Sequence, residues 1–274
     1  MISGILMLLA GIAIVGVFRR GTHNSQCWTL PIGVTLLGLA FWQLACVASG
    51  SQTFPTPLQT AYAMVELIQV GRLMGDIVAS LFRVTWGFLL AAAVAIPIGL
   101  MVGWSTLGFR ALNPIIQGLR PISPIAWIPI AILWFGIGDG AGVFLIFLSS
   151  FFPIAVGTMA AVRNISQVHR RSALNFGLTG FELMRRVVLP AALPQIITSL
   201  RIALGVAWLV IVAAEMVGMN SGLGYLINDA RNMGSRYDLV VATMIVIGLI
   251  GIVLDLLIRQ LERFDEVRWG YANK

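Results

Sequence analysis

An all-α, polytopic helical membrane protein is the fold class this sequence predicts, on three observations. Of its 274 residues, 58% are hydrophobic and only 11% are charged. A soluble domain carries about 25% charged residues, which it needs on its surface, so a chain this apolar must turn much of its surface to lipid. Mean hydropathy is +0.92, and the apolar residues gather in stretches near the roughly 20 residues that a helix needs to cross a bilayer. Third, the arginines collect in the loops between those stretches.

Taken in order, about six core spans are expected at 30–48, 77–104, 111–135, 142–162, 191–217 and 239–258, after an extra apolar stretch at 1–18. That first stretch has no basic residue before its apolar run and no small-residue cleavage site, so it reads as an extra N-terminal helix rather than a signal peptide. The span at 77–104 carries Gly99-x-x-x-Gly103, a small-residue spacing suited to close helix packing. The span at 111–135 holds Pro114, Pro121, Pro124 and Pro129, which should break or kink it, because proline lacks an N–H and clashes with the preceding turn. Trp127 and Trp134 within it read first as packing aromatics and second as gate or interface residues. The span at 191–217 starts just after Pro190, and the last span brings Asp255 one turn before Arg259 as a structural pair. The exterior segment 49–76 contains Phe54-Pro55-Thr56-Pro57, an extended turn.

Basic residues set the orientation. With the loop after Phe18 in the cytoplasm, that side collects Arg19, Arg20, Arg110, Arg163, Arg170, Arg171, Arg185, Arg186, Arg259, Arg263, Arg268 and Lys274, while the other side has Arg72, Arg231 and Arg236. This asymmetry is the positive-inside pattern. It accounts for the net charge of +7 without nucleic acid, since no basic run interleaves with aromatics. The organisation expected is an N-terminal apolar segment and cytoplasmic loop at 1–29, a transmembrane domain at 30–262 with a long cytoplasmic loop at 163–190, and a cytoplasmic tail at 263–274. Cys27 and Cys46 flank one apolar stretch, so no intrachain disulfide is implied.

The loop at 163–190 carries the strongest motif. A helix over 167–176 is expected to end at Gly177, the residue best able to take a left-handed cap. Thr179 and Glu182 have capping-box spacing, flanked by Leu178 and Leu183. A second helix then runs to Leu189-Pro190, where proline forbids a straight continuation into the next span.

This loop resembles the signature loop of permease subunits of binding-protein-dependent ABC importers. Ala173, Gly177, Val187, Leu189 and Pro190 match its pattern, whereas Arg171 stands where glutamate is usual and Ser172 where the first alanine is usual. Further blocks are similar to the nitrate, sulfonate, taurine and bicarbonate branch: Asn113-Pro114-Ile115-Ile116, Arg120-Pro121, Pro124 to Pro129, Trp134 to Asp139, Ser199 to Ala203, and Val212 to Met216. The resemblance implies a type I ABC importer permease fold in a bacterial inner membrane. It implies a multi-pass chain with a cytoplasmic C-terminus, working with a second copy of itself, two ABC ATPase subunits, an extracytoplasmic substrate-binding protein and membrane lipid. The loop, with Arg171, Ser172, Ala173, Gly177, Glu182, Leu189 and Pro190, would dock the ATPase; the plainer reading is an amphipathic loop on the inner leaflet. The substrate implied is a small anion, nitrate first, then bicarbonate or an alkanesulfonate such as taurine.

No cofactor is expected in this chain, ATP and Mg belonging to the partner ATPases: the only lysine is Lys274, so no Gly-Lys-Ser/Thr phosphate loop exists. No metal-ligand spacing or acidic pair appears, and His23 and His169 both fall in loops, which argues against a membrane enzyme. A stand-alone secondary anion transporter would favour an internal repeat, and none is seen. Candidate anion-pathway residues are the ionisable groups inside spans, Arg83, Arg120, Arg201 and Glu215. Arg83 is expected within snorkelling reach of the outer interface. The structural alternative for Arg120 and Arg201 is that one of them pairs with Glu215.

Overall fold

The computed structural model describes residues 23–49 and 54–261, with side chains described for 33–48 and 54–260. The expected span at 1–18, Arg19, Arg20, the side chains of His23 and Cys27, and Arg263, Arg268 and Lys274 lie outside them. Every regular element among the described residues is helical, and the chain forms two compact units.

One unit takes in α1 (His23–Ser49), α2 (Pro57–Gln69) and the chain from Ile227 to Ile245. Its apolar stretch Gly33–Ala48 lies where the first core span is expected. The segment read as an extended turn leads directly into α2, with Thr56 still in extended backbone and Pro57 the first helical residue. Thr56 is its N-cap, Pro57 occupies the first turn where a missing N–H is harmless, and a capping box closes over it. The Gln59 amide donates to Thr56 Oγ1 at 3.3 Å and the Thr56 amide to Gln59 Oε1 at 2.8 Å. Arg72 pairs with Asp229 at 2.9 Å, and Arg236 pairs with Glu66 at 2.7 Å and Asp238 at 2.8 Å.

The other unit holds Leu73–Leu226 and the chain from Val246 onward. Its first helices are α3 (Arg72–Trp104), α4 (Thr106–Leu119), α5 (Ile128–Phe135) and α6 (Asp139–Arg163), and after the loop comes α9 (Leu189–Gly218). Between α6 and α9 lie α7 (Gln167–Asn175) and α8 (Gly180–Leu183); α10 (Leu223–Asn232) and α11 (Tyr237–Leu261) follow. Four stretches are long and apolar enough to cross a membrane: Arg72–Trp104, Asp139–Arg163, Gly180–Gly218 and Tyr237–Gln260. A fifth is a broken pair, Thr106–Leu119 with Pro124–Phe135, bent by 83°. The expected proline break therefore falls between Arg120 and Ser123, while Pro114 is carried inside α4.

Small residues let the core of this unit close. Along α3, Gly87, Ala91, Ala95, Gly99 and Gly103 recur every fourth position, placing them on one face. Ala91 and Ala95 are completely buried and cluster with Ile154 and Ala155 of α6 and Ala203 of α9. A Cβ on Gly99 would lie 2.7 Å from Thr158 Cβ, and one on Gly103 would lie 2.9 Å from the Met159 carbonyl. Such backbone proximity is how helices gain dispersion contacts where lipid offers no hydrophobic driving force. Trp208 Nε1 then donates to the Ile247 carbonyl at 3.1 Å, linking α9 to α11.

Pro190 does not end a helix, contrary to expectation. Gly180–Gly218 is helical throughout, because a π turn at Met184–Val188 lies just before it. The Leu189 amide bonds to the Met184 carbonyl, five residues back. This wider turn shifts the carbonyl that the proline ring would otherwise strike and lets the helix run on.

Candidate functional site

Two constructions in the larger unit can act beyond packing. The first is the loop 163–190. Ser166 Oγ caps α7 by accepting from the Val168 amide at 3.3 Å. At the other end Gly177 takes φ +81°. Its amide donates to the Leu174 carbonyl at 3.0 Å, and the Leu178 amide reaches the Ala173 carbonyl at 3.1 Å. These two bonds are a Schellman motif, which satisfies carbonyls that the helix end leaves open.

Ala173 is buried in a cluster with Ala161 and Val162 of α6, Leu183 of α8, and Ala192 and Ile196 of α9, with Leu178 packed against it. One face of the short helix is thus seated on the span ends. The opposite face is open: Arg171 and Ser172 are exposed, Phe176 is 86% exposed and Phe181 80%. The expected capping box is absent. Thr179 is the N-cap of α8 but makes no side-chain cap bond, and Glu182 instead pairs with Arg186 at 3.1 Å one turn on. Leu189 is half-buried and Pro190 exposed.

The second construction is a buried polar cluster. Arg83 sits in α3 with its side chain 2% exposed, far from snorkelling, facing Glu215 of α9, whose side chain is 0% exposed. Arg83 Nη1 donates to Glu215 Oε1 at 2.7 Å and to the Ser221 carbonyl at 2.8 Å, Nη2 to Ser221 Oγ at 2.6 Å, and Nε to Asp139 Oδ1 at 2.7 Å. Four of the five guanidinium N–H groups are therefore engaged.

Glu215 also accepts from Ser80 Oγ at 2.8 Å and from the Gly224 amide at 2.9 Å. Ser80 Oγ accepts in turn from the Leu223 amide at 3.0 Å, and Asp76 Oδ1 from the Gly222 amide at 2.9 Å. The first amides of α10, orphaned in any helix, are thereby satisfied by side chains of α3 and α9. A carboxylate at a helix N-terminus is also favoured by the helix dipole. Gly222 has φ +109°, and a Cβ there would strike the Glu215 carboxylate, so glycine is required twice over.

Glu215 thus pairs with Arg83, and neither Arg120 nor Arg201 is its partner. Arg201 forms a two-point pair with Asp255, Nε–Oδ1 at 2.7 Å and Nη2–Oδ2 at 3.1 Å, and Asp255 also holds Arg259 at 3.2 Å as expected. Arg120 is the C-cap of α4, exposed at the 83° break. The sequence reading missed Asp76, Ser80, Asp139 and Ser221. A signal for the first two exists: Asp76, Ser80 and Arg83 stand at i, i+4 and i+7, a polar stripe on one face of an otherwise apolar span.

Residues 95–264 match the family described as binding-protein-dependent transport system inner membrane component. The chain belongs to this family. Similar relatives include the nitrate import permease protein NrtB of Leptolyngbya laminosa, 38% identical over 256 residues, covering 90% of this chain and 88% of that one. The taurine transport system permease protein TauC of Escherichia coli is 35% identical over 246 residues, with 87% and 89% covered. Among solved structures, a chain of the MetNI methionine ABC transporter superposes with a TM-score of 0.59 at 21% identity, over 71% of this chain and 98% of that one. The permease thus has the all-helical fold of ABC importer permeases. Its nitrate and taurine relatives stand at similar identity, so likeness alone does not choose between those two anions.

Proposed function

We propose that this permease is the membrane-spanning subunit of an ATP-driven importer for a small anion, with nitrate the favoured substrate and bicarbonate or an alkanesulfonate such as taurine the alternatives. It works as a homodimer with two ABC ATPase subunits, which bind ATP and Mg, and with an extracytoplasmic binding protein. The observation that carries this reading is the loop 163–190. A short helix locked by the Gly177 turn and seated through Ala173 leaves Phe176 and Phe181 exposed beside Arg171 and Ser172. Apolar side chains so exposed at the end of a membrane domain suit a protein groove, because water solvates them poorly. A rigid helix braced on the ends of α6 and α9 can pass a displacement of the ATPase to the spans.

In this reading Arg83 and Glu215 hold the pathway walls in register rather than meeting the anion, since their donors and acceptors are engaged with each other. Arg120, exposed where the broken span turns, is the membrane arginine best placed to meet a passing anion. The deciding experiment is uptake by proteoliposomes containing the permease, its ATPases and the binding protein, with labelled nitrate, bicarbonate and taurine compared. ATP-dependent accumulation of one anion is expected. Flux independent of ATP and of the ATPases would replace the importer with a channel or secondary carrier.

A further inference from the structure

A cavity of about 200 Å³ opens where α3 and α6 end and α4 and α7 begin. Its wall includes Trp104, Thr106, Arg163, Gln167 and Arg170. The volume is several times the roughly 30 Å³ that one water occupies, enough for a compact polyatomic group. Two arginines line this space, and no acidic residue does.

Both arginines are positioned by stacking rather than by ion pairs. The Arg163 guanidinium carbon lies 3.8 Å from the centroid of the Phe109 ring, and that of Arg170 lies 5.0 Å from the centroid of Trp104. Stacking occupies the face of a guanidinium and leaves its N–H edge available, the edge that matches two oxygens of a phosphate. Neither group has an ion-pair partner among the described residues, although Glu182, Asp255 and Asp139 each hold an arginine elsewhere in the unit. A basic residue in the last turn of α6 is explained by that helix's dipole, which accounts for Arg163. It does not account for Arg170, brought to the same space from a different helix.

We propose that this cavity is a binding site for a phosphate group, presented either by an anionic lipid headgroup or by a soluble phosphate at the same membrane face. Two like charges brought together without a counter-ion repel each other, and a phosphate oxyanion between them removes that repulsion. Its place at the ends of two spans, beside Trp104, is headgroup depth, where tryptophan is enriched. The inference rests on this geometry and not on the transported substrate.

The test uses the full chain in nanodiscs of equal parts phosphatidylcholine and phosphatidylglycerol. Lipid retained after transfer to detergent is read by native mass spectrometry. Retention of phosphatidylglycerol should fall about tenfold in Arg163→Gln and again in Arg170→Gln, the scale of a hydrogen bond to a charged group. Arg185→Gln, with the same charge loss outside the cavity, should retain it fully. If either glutamine variant fails to fold, Arg163→Lys and Arg170→Lys keep the charge but lose the fork, and an intermediate loss is expected.

In nanodiscs of phosphatidylcholine alone, inorganic phosphate that raises the melting temperature of the wild type and not of the cavity variants would assign a soluble ligand to the same site. Equal retention in wild type and cavity variants, with no effect of phosphate, overturns the proposal. So does an equal fall in Arg185→Gln, which would reduce the effect to diffuse surface charge.

Discussion

At the scale of single residues, burial decides what each ionisable group in the membrane can do. Arg83 and Glu215 are 1% exposed each, and removing one partner leaves the other's charge in a low-dielectric interior. Losses of about 3–5 kcal/mol accompany such a break, whereas replacing both partners by apolar residues is often close to neutral. Arg83→Met should therefore lower the melting temperature of the detergent-solubilised permease sharply, and Arg83→Met with Glu215→Leu should recover part of the loss. An Arg83→Met variant melting with the wild type would show that the cluster contributes nothing to the fold. Arg120 differs because it is exposed and holds no ion pair among the described residues. Arg120→Gln should leave melting unchanged but reduce anion uptake by about tenfold, the scale of a charged hydrogen bond; unaltered uptake would make Arg120 a surface residue. That Arg83 and Glu215 would need partners or a cavity was legible in the sequence, because ionisable residues inside spans are rare and usually paired. Who pairs with whom was not. Arg83 and Glu215 are 132 positions apart, and their meeting depends on helix register, which composition does not encode.

Local rules with a stereochemical cause were readable at the scale of elements, and those requiring compensation were not. The end of α7 at Gly177 followed from the residue alone. A Cβ at Gly177 would meet nothing within 4 Å, so substitution there is opposed only by the left-handed backbone, at about 1–2 kcal/mol for an L-residue. Gly177→Val should leave the spans folded, speed hydrogen exchange in the amides of 167–178 and weaken recovery of the ATPase, while Gly177→Asn is tolerated. Wild-type exchange and full ATPase recovery in the valine variant would separate this turn from coupling. Gly99 is the opposite case, an α-helical glycine whose added Cβ would meet Thr158 at 2.7 Å. Gly99→Leu should therefore destabilise by about 1–3 kcal/mol through overpacking, whereas Gly75→Leu, with open space around its Cβ, should not; equal melting of the two would refute close α3–α6 packing. By contrast, the π turn before Pro190 and the loss of the Thr179–Glu182 capping box reflect how the chain relieves proline strain and where Arg186 falls. Spacing rules carry neither fact.

For the whole molecule, the distribution of charge argues for one orientation more strongly than the bare count of basic residues does. Of the three arginines assigned to the sparse side, Arg72 is held by Asp229 and Arg236 by both Glu66 and Asp238. On the rich side, Arg163 and Arg170 stack on aromatic rings with no acidic partner among the described residues, and Arg171 and Arg185 are exposed. Free cationic charge resists translocation and is drawn to the anionic cytoplasmic leaflet, at about 1 kcal/mol per residue near the surface. An arginine already paired adds little to either effect. The loop 163–190 is therefore expected in the cytoplasm, the side on which an ATPase and its ATP must lie, with the Arg231 to Arg236 segment outside. In a background with Cys27 and Cys46 replaced by serine, Ser172→Cys should react with a membrane-impermeant maleimide only after the cells are permeabilised. Asn232→Cys, exposed on the sparse side, should react in intact cells. Reversed labelling would place the loop where no nucleotide-driven subunit could reach it, and the importer reading would fall together with the orientation.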